Sequence, residues 1–142
     1  MRPVFKLFAY ALSGLLLAVP AAAQEQDAIF ADYNAMRSEM DRLIQRRNIQ
    51  DLMLRFGGAD EMTIQQLDNL DAQVDRLYPD DFQNVAVIRR VTLENGFSQE
   101  LLAYWTGYSY LYAYVFYHDR GDEVISINFR FNSDFATLSG LF

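Results

Sequence analysis

The sequence predicts an α+β fold: two to three N-terminal helices packed on one face of a four-stranded antiparallel meander sheet. Three observations predict it. Apolar residues recur at helical spacing through the first half of the chain, and from Phe82 onward the period changes to two. Turn signals at Asn95-Gly96, Thr106-Gly107 and Asp119-Arg120-Gly121-Asp122 then divide the second half into extended runs.

The elements follow in order. Arg2 and Lys6 precede an apolar run from Leu7 to Val19, then Pro20 and Ala21-Ala22-Ala23. This is the form of a secretory signal, with cleavage expected after Ala23 and an exported product, most simply in the periplasm of a Gram-negative bacterium. The run is shorter than the ~20 residues of a membrane span. Removing these 23 of the 142 residues leaves 119, residues 24–142, the size of one domain.

Between Asp27 and Arg47, the residues Ile29, Tyr33, Met36, Met40 and Leu43 share one helical face, while Arg37, Asp41, Arg42 and Arg46 face elsewhere. Asn48 is placed to cap a short helix carrying Ile49, Leu52, Met53 and Phe56, and Gly57-Gly58 to stop it. Thr63 and Gln66 have the spacing of a capping box. The helix they open carries Ile64, Leu67, Leu70, Val74 and Leu77, and ends at Tyr78-Pro79.

Four strands are expected at about Val85–Glu94, Phe97–Trp105, Tyr108–His118 and Glu123–Asn132. Pairing across Arg120-Gly121 sets Phe116 opposite Ile125, Tyr114 opposite Ile127, Tyr112 opposite Phe129 and Tyr110 opposite Phe131. Pairing across Thr106-Gly107 sets Trp105 opposite Tyr108, Leu101 opposite Tyr112 and Phe97 opposite Phe116. Both registers gather the bulky residues on one face, which is therefore expected beneath the helices. The other face would carry Ser98, Glu100, Leu102, Ser109, Ala113, Ser126, Asn128 and Arg130, with Glu100 and Arg130 near enough to pair.

Composition excludes several chemistries. The expected mature chain holds 10 arginines against 19 acidic residues, a balance that repels nucleic acid. It has no cysteine, no lysine and one histidine, His118, so thiol nucleophiles, disulfides, lysine Schiff bases and a multi-ligand zinc site are out of reach. No cofactor or metal is expected. Ser109 lies in Gly107-Tyr108-Ser109-Tyr110, but Leu111 stands where a nucleophile elbow needs glycine. The acidic residues Asp68, Asp71, Asp75, Asp80 and Asp81 read as a solvated surface.

Helices followed by a curved antiparallel meander, with the short Asn48–Phe56 helix between longer ones, resemble the NTF2-like and cystatin-like groups of α+β folds. The resemblance covers most of the expected mature chain. It implies a pocket between helices and sheet, in a group that includes ketosteroid-isomerase-like enzymes and many non-catalytic binding domains. No position matches a catalytic residue of either group.

Two functional expectations follow. The first is a non-catalytic binding or interaction domain. Its outer sheet face, with Leu102, Tyr104, Leu111, Val115, Tyr117 and Val124, would meet a second copy or an envelope protein. The alternative is a small-ligand or enzymatic pocket on the aromatic face, lined by Arg90, Gln99, Tyr110, Tyr112 and Tyr114, for an apolar or acidic molecule. Arg90 belongs to that pocket if the Asn95-Gly96 hairpin keeps a two-residue register, and a one-residue bulge would exchange it for Arg89. His118 is expected beside the Asp119–Asp122 turn with Glu123 opposite.

Overall fold

In the computed structural model, residues 28–57 and 59–142 are described. The expected signal peptide and the first residues of the expected domain lie outside them. The described elements are β1 (Ile29–Phe30), α1 (Tyr33–Gln45), α2 (Ile49–Phe56), α3 (Ile64–Leu77), β2 (Asn84–Thr92), β3 (Phe97–Thr106), β4 (Ser109–Asp119), β5 (Val124–Asn132) and α4 (Phe135–Ser139). The fold is α+β, with one antiparallel sheet of order β1-β5-β4-β3-β2. No described helix is long and apolar enough to cross a membrane.

The helices begin where capping chemistry allows. Asp32 caps α1 by accepting the Ala35 N–H at 2.8 Å, so the helix starts later than apolar spacing suggests, and Ile29 belongs instead to a short fifth strand. Thr63 and Gln66 form the expected reciprocal box at 3.1 and 2.8 Å. Asn48 stands at the start of α2 but makes no side-chain cap; Asp71 of α3 accepts the Ile49 N–H at 3.3 Å. Asp75 and Asp81 both pair with Arg47, and Asp68 accepts from Gln50. Four of the acids expected to be merely solvated thus tie the helical layer together.

The register differs from expectation at each hairpin, and the differences decide which face is buried. At the first, Asn95 and Gly96 adopt the positive φ that the Asn-Gly signal predicts. The Leu93 N–H, however, bonds to the Phe97 carbonyl, so the turn holds three residues, Glu94-Asn95-Gly96, instead of two. Arg89 is therefore opposite Leu101 and Arg90 opposite Glu100. A second irregularity falls between Val87 and Arg89. The β3–β4 turn is Gly107-Tyr108, which pairs Trp105 with Tyr110 and Leu101 with Tyr114. Between β4 and β5 the register shifts at Ile127, so Phe129 is opposite Val115 and Phe131 opposite Ala113. A shift of one residue exchanges sheet faces. Phe129 and Phe131 thereby leave the face of Tyr112 and Tyr114, where Asn128, Arg130 and Asn132 replace them.

The helices cover the face opposite to the one expected. Met36, Met40, Leu43 and Ile44 of α1, with Ile49, Leu52 and Phe56 of α2, form the main core with Leu102, Tyr104, Leu111, Ala113, Val115, Tyr117 and Val124. The α3 stripe is narrower than expected: Leu67 and Val74 are buried, whereas Ile64 and Leu77 are exposed. On the other face, Leu138 of α4 packs with Leu101 and Tyr114 in a smaller cluster, with Tyr112, Phe116 and Phe142 around it.

Candidate functional site

The outer face of the sheet is built by alternation. Side chains of β3 and β4 point alternately to its two sides, so the pairs Trp105–Tyr110, Ala103–Tyr112, Leu101–Tyr114, Gln99–Phe116 and Phe97–His118 form one ladder away from α1 and α2. Its rings make a nearly continuous row. Trp105 and Tyr110 have centroids 6.1 Å apart with planes 20° from parallel, and Tyr110 and Tyr112 follow at 6.4 Å and 8°. Phe135 of α4 meets Tyr112 edge-on at 5.6 Å. At the far end Phe97 stacks between Phe116 and His118. Tyr110, Phe135 and Leu141 are exposed, and Tyr108 at the adjoining turn is 99% exposed.

The five residues expected to line a pocket are divided by the sheet. Gln99, Tyr110, Tyr112 and Tyr114 share the outer face. Gln99 donates to the Tyr114 hydroxyl at 2.9 Å and to the Leu141 carbonyl at 3.2 Å. Tyr114 is buried against Phe142. Arg90 points to the helix side, and Arg89 takes its place outside, its guanidinium 4.4 Å from the Phe142 ring centroid. The expected interface residues Leu102, Tyr104, Leu111, Val115 and Tyr117, with Val124, are all buried beneath the helices. A surface made from them does not exist in this fold. His118 is opposite Ile125, with its Nε2 2.9 Å from the Asn95 carbonyl; Glu123 instead lies 3.7 Å from Arg120.

The helix side holds a polar cluster that parity reasoning hid. Glu100 is fully buried, not outward as expected, and its partner is Arg90 rather than Arg130. Its carboxylate accepts from the Tyr33 hydroxyl at 2.9 Å, the Tyr117 hydroxyl at 2.9 Å and Arg90 Nε at 2.8 Å. Arg37 Nη1 stands 3.9 Å away and donates to the Tyr33 hydroxyl at 3.0 Å. Its other nitrogen pairs with Asp41, which also accepts from the buried Tyr104 hydroxyl at 2.8 Å. Burial opposes the Arg37 charge, but Tyr33 and Asp41 more than offset it and raise its pKa. Tyr33, Arg37 and Asp41 are four residues apart on α1, a spacing visible in the sequence. The missing information was which face of β3 they meet. Three hydrogen bonds on one carboxylate make this a closed structural joint between α1 and the sheet, with its acceptors already engaged.

Tyr104 and Tyr117 make the joint sensitive to alkali. Burial, then the acids they bond (Asp41 for Tyr104, Glu100 for Tyr117), hold both phenols above the ordinary value of 10. Their neutral forms therefore stabilise the fold fully below the unfolded pKa, and this is lost as pH climbs through the raised folded values. The urea midpoint is expected to fall as pH rises above ~10. The fall should be shallower in Tyr117→Phe, which cannot ionise; an equal slope in that variant would contradict the assignment.

In comparisons with known proteins, no family model, curated protein or solved structure matches this chain.

Proposed function

We propose that this chain is a non-catalytic binding domain, exported to the periplasm, that engages a protein partner through the outer aromatic face of its sheet. The observation that carries the reading is the Trp105–Tyr110–Tyr112–Phe135 row on a face that α1, α2 and α3 leave open. Tyrosine and tryptophan bury large area with few rotatable bonds, and they dominate the energetics of protein interfaces. Apolar contact there would be framed by polar side chains of β5, Asn128, Arg130 and Asn132, an arrangement like the core and rim of an interface. The basic residues, apolar run and Ala21-Ala22-Ala23 of the N-terminus support export. Element order resembling the NTF2-like and cystatin-like groups accords with a binding domain and selects no chemistry.

A photocrosslinking side chain placed at Tyr110 should give a discrete protein adduct in intact cells. The same group at Ile64, exposed on α3, should not. Adding Trp105→Ala should weaken the Tyr110 adduct. Equal adducts from both positions, or none from Tyr110, would remove the outer face as the binding surface.

A further inference from the structure

β2 closes the sheet on one side and has a described partner only in β3, and on the other side most of β5 also lacks a described partner. The short β1 pairs with β5 only at Val124 and Ile125, and the Ser126 N–H adds one bond to the Ala28 carbonyl at 2.8 Å. Beyond that point no described strand lies beside Ile127–Asn132 on the side away from β4. A groove of about 520 Å³ runs along this edge, with Met53 and Leu70 of the helical layer, Phe129 and Phe131 of β5, and Leu138 of α4 in its walls. Proteins usually guard such an edge with lysine, proline or a covering element. Ile127-Asn128-Phe129-Arg130-Phe131-Asn132 contains neither residue and carries one charge, and its bulge at Ile127 lies at the start of the run, leaving Asn128–Asn132 regular.

We propose that this edge pairs antiparallel with the same edge of a second copy, about a two-fold axis at Phe129, to form one continuous sheet. The pattern of the strand selects the occupant and the register. Ile127-Asn128-Phe129-Arg130-Phe131 alternates apolar and polar symmetrically about Phe129, as an isologous contact requires. Centring on Phe129 sets Phe129 opposite its counterpart, Ile127 opposite Phe131, and Asn128 opposite Arg130. Phe129 then meets its counterpart on the helix side, where Phe131 also packs, and each arginine meets an amide on the outer side. Centring on Arg130 would oppose two arginines, and centring on Asn128 would bring Arg130 against Ser126, whose N–H is already engaged. An axis between residues would set each apolar side chain against a polar one. In the Phe129 register the helical layers of both copies lie on one side, so Met53 and Leu70 of each close over the seam.

Sedimentation equilibrium of the full protein over a micromolar series is expected to show a monomer–dimer equilibrium. Asn128→Arg sets like charges opposite each other twice across the axis and should raise the dimer Kd about a hundredfold. Adding Arg130→Glu in the same chain turns both repulsive pairs into attractive ones and should restore the dimer. Circular dichroism and a denaturation midpoint for each variant separate lost pairing from lost folding. The natural absence of cysteine supplies a second measurement that does not depend on charge. An oxidised equimolar mixture of Asn128→Cys and Arg130→Cys should give the mixed disulfide dimer in preference to either homodimer. A protein monomeric at every concentration would overturn the proposal. So would a dimer indifferent to Asn128→Arg, or a statistical mixture of disulfides.

Discussion

Replacing Glu100 by alanine is expected to destabilise the fold by about 3–5 kcal/mol, the range for breaking a buried charge network by removing one partner. The carboxylate accepts from Tyr33, Tyr117 and Arg90, and Arg37 stands beside it. Truncation leaves a cavity and two phenol donors without their acceptor. Glu100→Gln should also destabilise, by about 2 kcal/mol, because every group around the side chain donates and an amide offers one acceptor oxygen where the carboxylate offers two. Arg90→Ala should cost less, about 1 kcal/mol, since the Arg90 side chain is 49% exposed and the two tyrosines still hold the carboxylate. Urea titration of the three variants checks the order. A loss below about 1 kcal/mol in Glu100→Ala would mean that the joint between α1 and the sheet does not rest on this side chain.

The second large effect distinguishes the two faces of the sheet. Tyr104 and Tyr110 look alike in sequence, each a tyrosine in an apolar strand, but Tyr104 is fully buried and Tyr110 is 42% exposed. Tyr104→Ala removes a ring from the main core and the hydroxyl bonded to Asp41, and should cost about 3–5 kcal/mol. Tyr110→Ala removes one member of a surface row and should cost within about 1 kcal/mol. It should instead reduce the crosslinking yield of a probe placed at the neighbouring Tyr108. Comparable losses of stability at the two positions would contradict the assignment of faces.

The contrast shows what could be read from the sequence. The elements were legible because each has a local cause: the capping box at Thr63 and Gln66, the apolar spacing of Met36, Met40 and Leu43, the Asn-Gly turn. Alternation along β3 and β4 was legible too, since it needs only the period of a strand. The choice of face was not, because both sides of this sheet are rich in apolar residues. Bulk was the wrong criterion. Leu102, Ala113 and Val115 share the helix side with the buried rings of Tyr104 and Tyr117, so bulk does not separate the two faces. The rings of Trp105, Tyr110 and Tyr112 lie where hydroxyl and indole can reach water.

The register shifts completed the misreading. Near Leu93 and at Ile127, single extra residues turned Arg90 inward and carried Phe129 and Phe131 to the helix side. Nothing local in Val91-Thr92-Leu93 or Ser126-Ile127-Asn128 marks those positions. Tertiary partners do: Glu100 pairs with Arg90, and the Phe56 ring packs against Phe129 with centroids 5.0 Å apart. The candidate site was legible in part for the same reason. Tyr110, Tyr112, Tyr114 and Gln99 follow from alternation along β3 and β4, whereas Arg90 depended on a register that the three-residue turn changed.

That the aromatic row faces outward is the claim on which the proposed binding face depends. Because the natural chain contains no cysteine, it can be tested by maleimide labelling of Tyr110→Cys and Leu111→Cys, adjacent positions on β4. The thiol at 110 should react in the native protein at close to its rate in urea. The thiol at 111 should be protected until the protein unfolds. Protection at 110 with rapid labelling at 111 would place the helices on the aromatic face and contradict the account.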